Sequence, residues 1–155
     1  MIQQLSLPEW HRMAQEGVAL PMRIQVNGNS MFPLLRSQRD YVTIYPLEGL
    51  PQRGDVILFA DPCRDARYLL HRAWQTDGDT VLPWGDNCAA PDGTIPLSNV
   101  WGKAVLVERG KRKIKLDPGK GLRLAKVWHK AGRFWRLGLR IKRKIGRIMR
   151  GPHRG

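Results

Sequence analysis

From Met22 to Glu108 the chain alternates short apolar runs with clusters of turn residues, and this spacing leaves few folds open. Met22, Ile24 and Val26 alternate with Arg23 and Gln25, the period of a half-buried strand. Further short strands are expected at Tyr41–Tyr45, Val56–Ala60, Tyr68–Trp74, Thr80–Pro83 and Val100–Glu108. Between them lie connections such as Glu48-Gly49-Leu50-Pro51 and Asp77-Gly78-Asp79. Ahead of the first strand, Leu7 to Gly17 reads as a short helix, with Pro8 near its start and Gly17 just past its end. The fold class expected is therefore mainly β: a compact antiparallel domain over residues 1–117, carrying a short N-terminal helix. No internal repeat is visible.

Asp117-Pro118-Gly119-Lys120-Gly121 reads as a linker, and beyond it the apolar period becomes helical. Residues 118–155 are thus expected to form a linker and a basic amphipathic C-terminal helix. Leu124, Val127, Trp128, Ala131, Phe134, Trp135, Ile141, Ile145 and Ile148 can share one broad face over 122–150. Gly132, Gly138 and Gly146 weaken that helix. All 13 acidic residues lie at or before Asp117, so residues 1–117 carry a net +1 and the remainder +13. The basic character belongs to the tail and not to the β domain.

Two cysteines, Cys63 and Cys88, fit free thiols in a reducing compartment better than a disulfide framework. A zinc site built from Cys63, His71 and Cys88 lacks a familiar ligand spacing, so neither a metal nor a cofactor is expected. No run reaches about 18 apolar residues, the length a membrane-spanning helix needs. Glu9, His11, Arg12 and Glu16 occupy the place where an export signal would need an apolar stretch. A cytoplasmic protein is the expectation.

Ser30 stands where the first strand runs into Asn27-Gly28-Asn29-Ser30. A serine in such a turn is usually a turn residue only. The turn can also project a hydroxyl into a groove and aim backbone N–H groups at a developing oxyanion. A serine hydroxyl is a poor nucleophile and needs a base beside it.

The order of motifs adds to this. Asn27-Gly28-Asn29-Ser30-Met31-Phe32-Pro33 is followed by Arg39-Asp40-Tyr41-Val42, Arg53-Gly54-Asp55-Val56-Ile57, His71-Arg72, Gly85-Asp86-Asn87 with Asp92 beyond it, and Gly102-Lys103. That ordered set, over residues 22–107, resembles the type I signal peptidase family and, more distantly, the self-cleaving peptidase domains of SOS-type repressors. The resemblance implies a signal-peptidase-like β domain with Ser30 as nucleophile, and Asn29 and Met31 as supporting residues around it. Most bacterial members use a lysine base, whereas the archaeal and endoplasmic-reticulum type uses a histidine followed by arginine. No lysine occurs before Lys103, so the resemblance points to His71 as base. An imidazole, with an ordinary pKa near 6.5, can accept a serine proton at neutral pH. It also wants an acid to fix its tautomer. By resemblance Asp92 is that acid, with Asp86 orienting the loop or sharing the role. Gly28 stands where many bacterial members carry a serine of the oxyanion hole, so the hole would rest on backbone N–H groups.

The function these readings imply is a serine endopeptidase that removes a leader or signal-like segment from a peptide or protein substrate. The family resemblance implies small residues at the −1 and −3 positions of the cleaved site. The tail has three readings. Its apolar face could lie in an anionic membrane surface, placing the enzyme peripherally on the inner membrane face. Its charge could bind nucleic acid, which leaves the apolar face unexplained. Or the apolar face could pack on the β domain. A non-catalytic binding module, or a repressor-like regulator with its tail on DNA, is the alternative of another class. Only about 20 residues precede the peptidase-like region, too few for a helix-turn-helix domain.

Overall fold

The computed structural model describes residues 5–18, 20–62 and 67–132. Cys63 and the tail residues Phe134, Trp135, Gly138, Ile141, Ile145, Gly146 and Ile148 lie outside them. The fold is mainly antiparallel β with two helices, as the alternation of the sequence implies.

Helix α1 (Leu7–Gln15) starts on a reciprocal cap: the Glu9 N–H reaches the Ser6 hydroxyl, and the Ser6 N–H donates to the Glu9 carboxylate at 2.9 Å. It ends two residues short of Gly17. Trp10 is its buried anchor, and the indole N–H donates to the Leu20 carbonyl at 2.7 Å.

Eight strands follow: β1 (Met22–Gln25), β2 (Asp40–Pro46), β3 (Val56–Ala60), β4 (Tyr68–Asp77), β5 (Thr80–Trp84), β6 (Ile95–Pro96), β7 (Val100–Arg109) and β8 (Arg112–Lys115). They form one sheet in the order β1-β2-β7-β3-β4-β5-β6, with β8 also on β7, and every pairing is antiparallel. Two of them, β6 and β8, were not expected from the sequence. For β8 the signal is short: Ile114 and Leu116 alternate with Lys113 and Lys115, but all four strand residues are exposed.

Strand β3 explains why the sheet has two cores. Val56 and Leu58 belong to one buried cluster, with Trp10, Met31, Val42, Ile44 and Val107. Ile57 and Phe59 belong to a second, with Ala73, Val81, Ile95 and Val100. A strand covered on both faces must be apolar at every position, and Val56-Ile57-Leu58-Phe59 is such a run. Residues directly opposite on neighbouring strands share a face. The register Ile57↔His71 and Val56↔Arg72 therefore sends His71 to the second core and Arg72 to the first.

Asp117 to Gly121 is not a linker. The Asp117 carboxylate accepts the Lys120 N–H at 2.8 Å, Pro118 takes the first helical position, and helix α2 runs over 118–132. Helix α2 packs on the sheet through Ala125 and His129, both buried. The His129 ring lies 4.3 Å from that of Trp84 and 5.4 Å from that of Trp74, centroid to centroid. Leu124 and Val127, two of the apolar residues expected to share a face, point away from this contact and stay exposed. No helix among the described residues is long and apolar enough to cross a membrane.

Candidate active site

Ser30 lies in the turn after β1, half-buried, between exposed Asn29 and buried Met31. The turn is tied internally: the Phe32 N–H donates to the Asn29 carbonyl at 3.1 Å, the Leu35 N–H to Met31 at 2.9 Å, and the Gly28 N–H to the Ser37 hydroxyl at 3.0 Å. Its far end is fixed by Asp40, which takes two hydrogen bonds from Arg109, at 2.9 and 2.6 Å, and one from the Arg36 N–H. Burial alone would push the Asp40 carboxyl up; Arg109 and the Arg36 N–H bring it below its ordinary value. Arg109 also donates to the Leu34 carbonyl at 2.9 Å, closing the loop on itself.

A second turn, Gly85 to Cys88, is stitched to the first. The Asn87 N–H donates to the Ser30 carbonyl at 2.7 Å, the Asn87 side-chain amide to the Asn29 carbonyl at 3.1 Å, and the Asp86 N–H to Met31 Sδ at 3.5 Å. Asn29 and Met31, expected to support the serine, are thus where the two turns meet. Met31 adds its buried side chain to the first core.

His71 projects from β4 into the second core and is 3% exposed. The edge of its ring meets Phe59, with centroids 5.9 Å apart. Its Nδ1 lies 2.5 Å from Asp92 Oδ2. A carboxylate only accepts, so Nδ1 is the donor and the lone pair falls on Nε2. Asp92 is held in place by its own N–H on the Pro83 carbonyl at 3.1 Å. Nε2 is buried and has no hydrogen-bond partner among the described residues.

Gly85 locates what faces that lone pair. A Cβ built on Gly85 would lie 3.0 Å from His71 Nε2, 2.8 Å from the Ser30 carbonyl oxygen and 2.7 Å from Cys88 Sγ. The turn of Ser30, the free nitrogen of His71 and the thiol of Cys88 converge on one small volume that only glycine leaves open. Ser30, His71, Cys88 and Asp92 also line a common cavity of about 510 Å³. Gly85→Ala is expected to displace the Ser30 turn from His71. It should slow labelling of Ser30 by a serine-reactive probe by about 100-fold, since a misplacement of ~1 Å at a reacting centre costs that much. Labelling at the wild-type rate would show that the two groups do not depend on this contact.

Asp86 goes elsewhere. Its two oxygens take the Arg72 Nε and Nη2 groups at 2.8 and 2.7 Å, and Arg72 Nη1 donates to the Gly54 carbonyl at 2.7 Å. Both side chains are buried on the face opposite His71. The acid beside the histidine is Asp92 and not Asp86, and Asp86 supports the site by fixing the turn that holds Gly85 and Asn87. Lys103, the first lysine of the chain, lies in the same cross-strand row as His71, on the far side of Ile57, and its ammonium is 3.5 Å from Asp55.

Cys88 is a free thiol. Burial raises its pKa first, and the Asp92 and Asp86 carboxylates raise it further. A thiol kept protonated is a weaker nucleophile than a thiolate. Cys63, the third member of the zinc reading with His71 and Cys88, lies outside the described residues.

Sequence reasoning gave no role to Gly85, Asn87 or Arg72, although all three stand in the quoted motifs. Gly85 and Asn87 act through backbone geometry, which a single sequence does not display. Arg72 gave no signal of burial, because the neighbour of a buried residue in an antiparallel strand normally faces solvent; the cover of helix α2, through Gly121, is what buries it.

A scan against family models gives no match for this chain, and a search of curated proteins gives none either.

Proposed function

We propose that this chain is a serine endopeptidase that uses Ser30 as nucleophile, His71 as general base and Asp92 to orient the imidazole. The observation that carries the reading is the state of His71: buried, bonded to a carboxylate through Nδ1, with an unpartnered Nε2 against the turn of Ser30. Such a histidine accepts a proton at one nitrogen while the carboxylate stabilises the charge formed at the other.

In the proposed reaction, Ser30 Oγ attacks a peptide carbonyl as its proton passes to His71 Nε2. Collapse of the tetrahedral adduct returns that proton to the leaving amine and leaves an acyl ester on Ser30. Water, deprotonated by the same nitrogen, then releases the acid. The Ser30 N–H takes part in none of the turn's hydrogen bonds among the described residues, and is the group available to the oxyanion. Gly28 sits at φ +90°, a conformation that serine adopts only with strain, so no side-chain hydroxyl from this position joins it. The substrate class follows from the family resemblance: a leader or signal-like segment, cut after a small residue.

The test is labelling with a fluorophosphonate, and inhibition by a peptide aldehyde, of wild type, Ser30→Ala and His71→Ala. Labelling of wild type at Ser30, lost in both variants, is the expected result. Folded wild type that stays unlabelled by a panel of such probes would leave the arrangement as a silent fold with a binding role.

A further inference from the structure

Helix α2 uses its small face for packing. A Cβ on Gly121 would fall 2.6 Å from Arg72 Nη1, Ala125 is buried, and His129 enters the aromatic pocket of Trp74 and Trp84. These positions are spaced by four and form one stripe. The larger apolar residues are left outside: Leu124 is 67% exposed, Val127 65% and Trp128 37%. Across a groove of about 320 Å³ stands Ile114 of β8, itself 38% exposed, with Pro33 and Leu34 at the groove's floor.

This apolar strip has a dense cationic border. Lys120, Arg123, Lys126 and Lys130 on the helix are exposed, as are Lys111, Arg112, Lys113 and Lys115 at the β7–β8 hairpin. Among the described residues none of the eight is in an ion pair. The acids around the strip are committed elsewhere: Asp117 to the helix cap, Asp86 to Arg72, and Glu108, opposite Lys113 in the hairpin, to Arg23. After Asp117 the chain holds no acid at all.

We propose that this face, formed by Leu124, Val127, Trp128 and Ile114 within their ring of lysines and arginines, docks on an anionic lipid bilayer. Complementary charge selects the occupant. Phosphate-bearing headgroups match the cations, and the acyl boundary accepts the aliphatic and indole side chains that a nucleic acid would leave in water. The face also includes β8, which the sequence did not reveal as a strand, so it is a composite of helix and hairpin and not a property of the tail alone. It adjoins the candidate active site. The Phe32 ring, two residues from Ser30 and 39% exposed, meets Trp128 edge-on with centroids 5.8 Å apart. Docking would hold the Ser30 turn at the bilayer surface, and the docking itself stands whether or not Ser30 is a nucleophile.

The experiment is co-sedimentation of the full chain with vesicles of phosphatidylcholine, alone and mixed with phosphatidylglycerol. Wild type is compared with Leu124→Glu/Val127→Glu and with Arg112→Glu/Arg123→Glu. All four positions are exposed, and urea midpoints check that the variants fold; Leu124→Ser/Val127→Ser replaces the first pair if it does not. Strong binding to the mixed vesicles only, reduced about tenfold or more in each double variant, is the expected result. Binding that the Leu124/Val127 variant retains in full would overturn the proposal. So would equal binding to both vesicle types, or a DNA duplex that strips the protein from the mixed vesicles.

Discussion

Ser30→Ala, His71→Ala and the double variant are expected to lower peptide hydrolysis to one common floor, about 10⁵–10⁶-fold below wild type. In the proposed mechanism the two groups transfer a single proton, so removing the second after the first has nothing further to remove. Asp92→Asn should fall less far, by about 10⁴-fold, because the imidazole remains but loses the acceptor that fixes its tautomer. The 2.5 Å contact between His71 Nδ1 and Asp92 Oδ2 is what makes that loss specific. Asp86→Asn provides the contrast: its carboxylate faces Arg72, so its main effect should be on stability. The assay is kcat/KM on a peptide released from a library by wild type, with folding of each variant checked by circular dichroism. Losses from Ser30→Ala and His71→Ala that multiply in the double variant would mean that the residues do not act as a unit.

Arg72→Met is expected to destabilise the protein by about 3–5 kcal/mol, the usual consequence of leaving one charge of a buried pair alone. Arg72 and Asp86 are 1% and 3% exposed, and three hydrogen bonds tie the guanidinium to Asp86 and to the Gly54 carbonyl. In a chain of this size that loss lowers Tm by about 10 °C or more. Arg72→Met combined with Asp86→Leu should recover much of it, since an apolar pair leaves no orphaned charge. Urea denaturation of the two single variants and the double variant measures the coupling. The same substitutions should loosen helix α2, because Gly121 packs directly on the guanidinium. If Arg72→Met cost less than ~1 kcal/mol, the pair would be solvated in solution and would not fix the Gly85–Cys88 turn.

Much of this site could be read from the residues. The period-two pattern and the short apolar runs gave six of the eight strands, while the burial of Val56–Phe59 on both faces emerged only in the structure. The alternation of β4 already requires His71 and its neighbour Arg72 to face opposite sides of the sheet. Strand β8 was hard to read because its pairing rests on backbone hydrogen bonds to β7 and not on burial, and one exposed isoleucine among three basic residues is a weak hydrophobic signal. Asp117-Pro118 was misread because proline and glycine punctuate linkers and helix starts alike; only the capping bond to the Lys120 N–H tells them apart.

Patterning alone was enough for an antiparallel β domain, a serine in a turn at the end of its first strand, a histidine in its fourth, and a basic end to the chain. The tertiary structure decided which acid meets the histidine. Asp86 and Asp92 are six residues apart in the same connection, and nothing local separates them. The choice is made by the offset in the β4–β5 register at Ala73/Gln75 and by the Asp92 N–H on Pro83, contacts between segments that no single stretch of sequence contains. The tertiary structure also chose the packing face of helix α2. Leu124 and Val127 carry the stronger hydrophobic signal, but Gly121 and Ala125 are small enough to let the helix reach Arg72 and set His129 against the paired rings of Trp74 and Trp84. Close packing rewards fit at a particular surface, and the shape of that surface exists only once the sheet has formed.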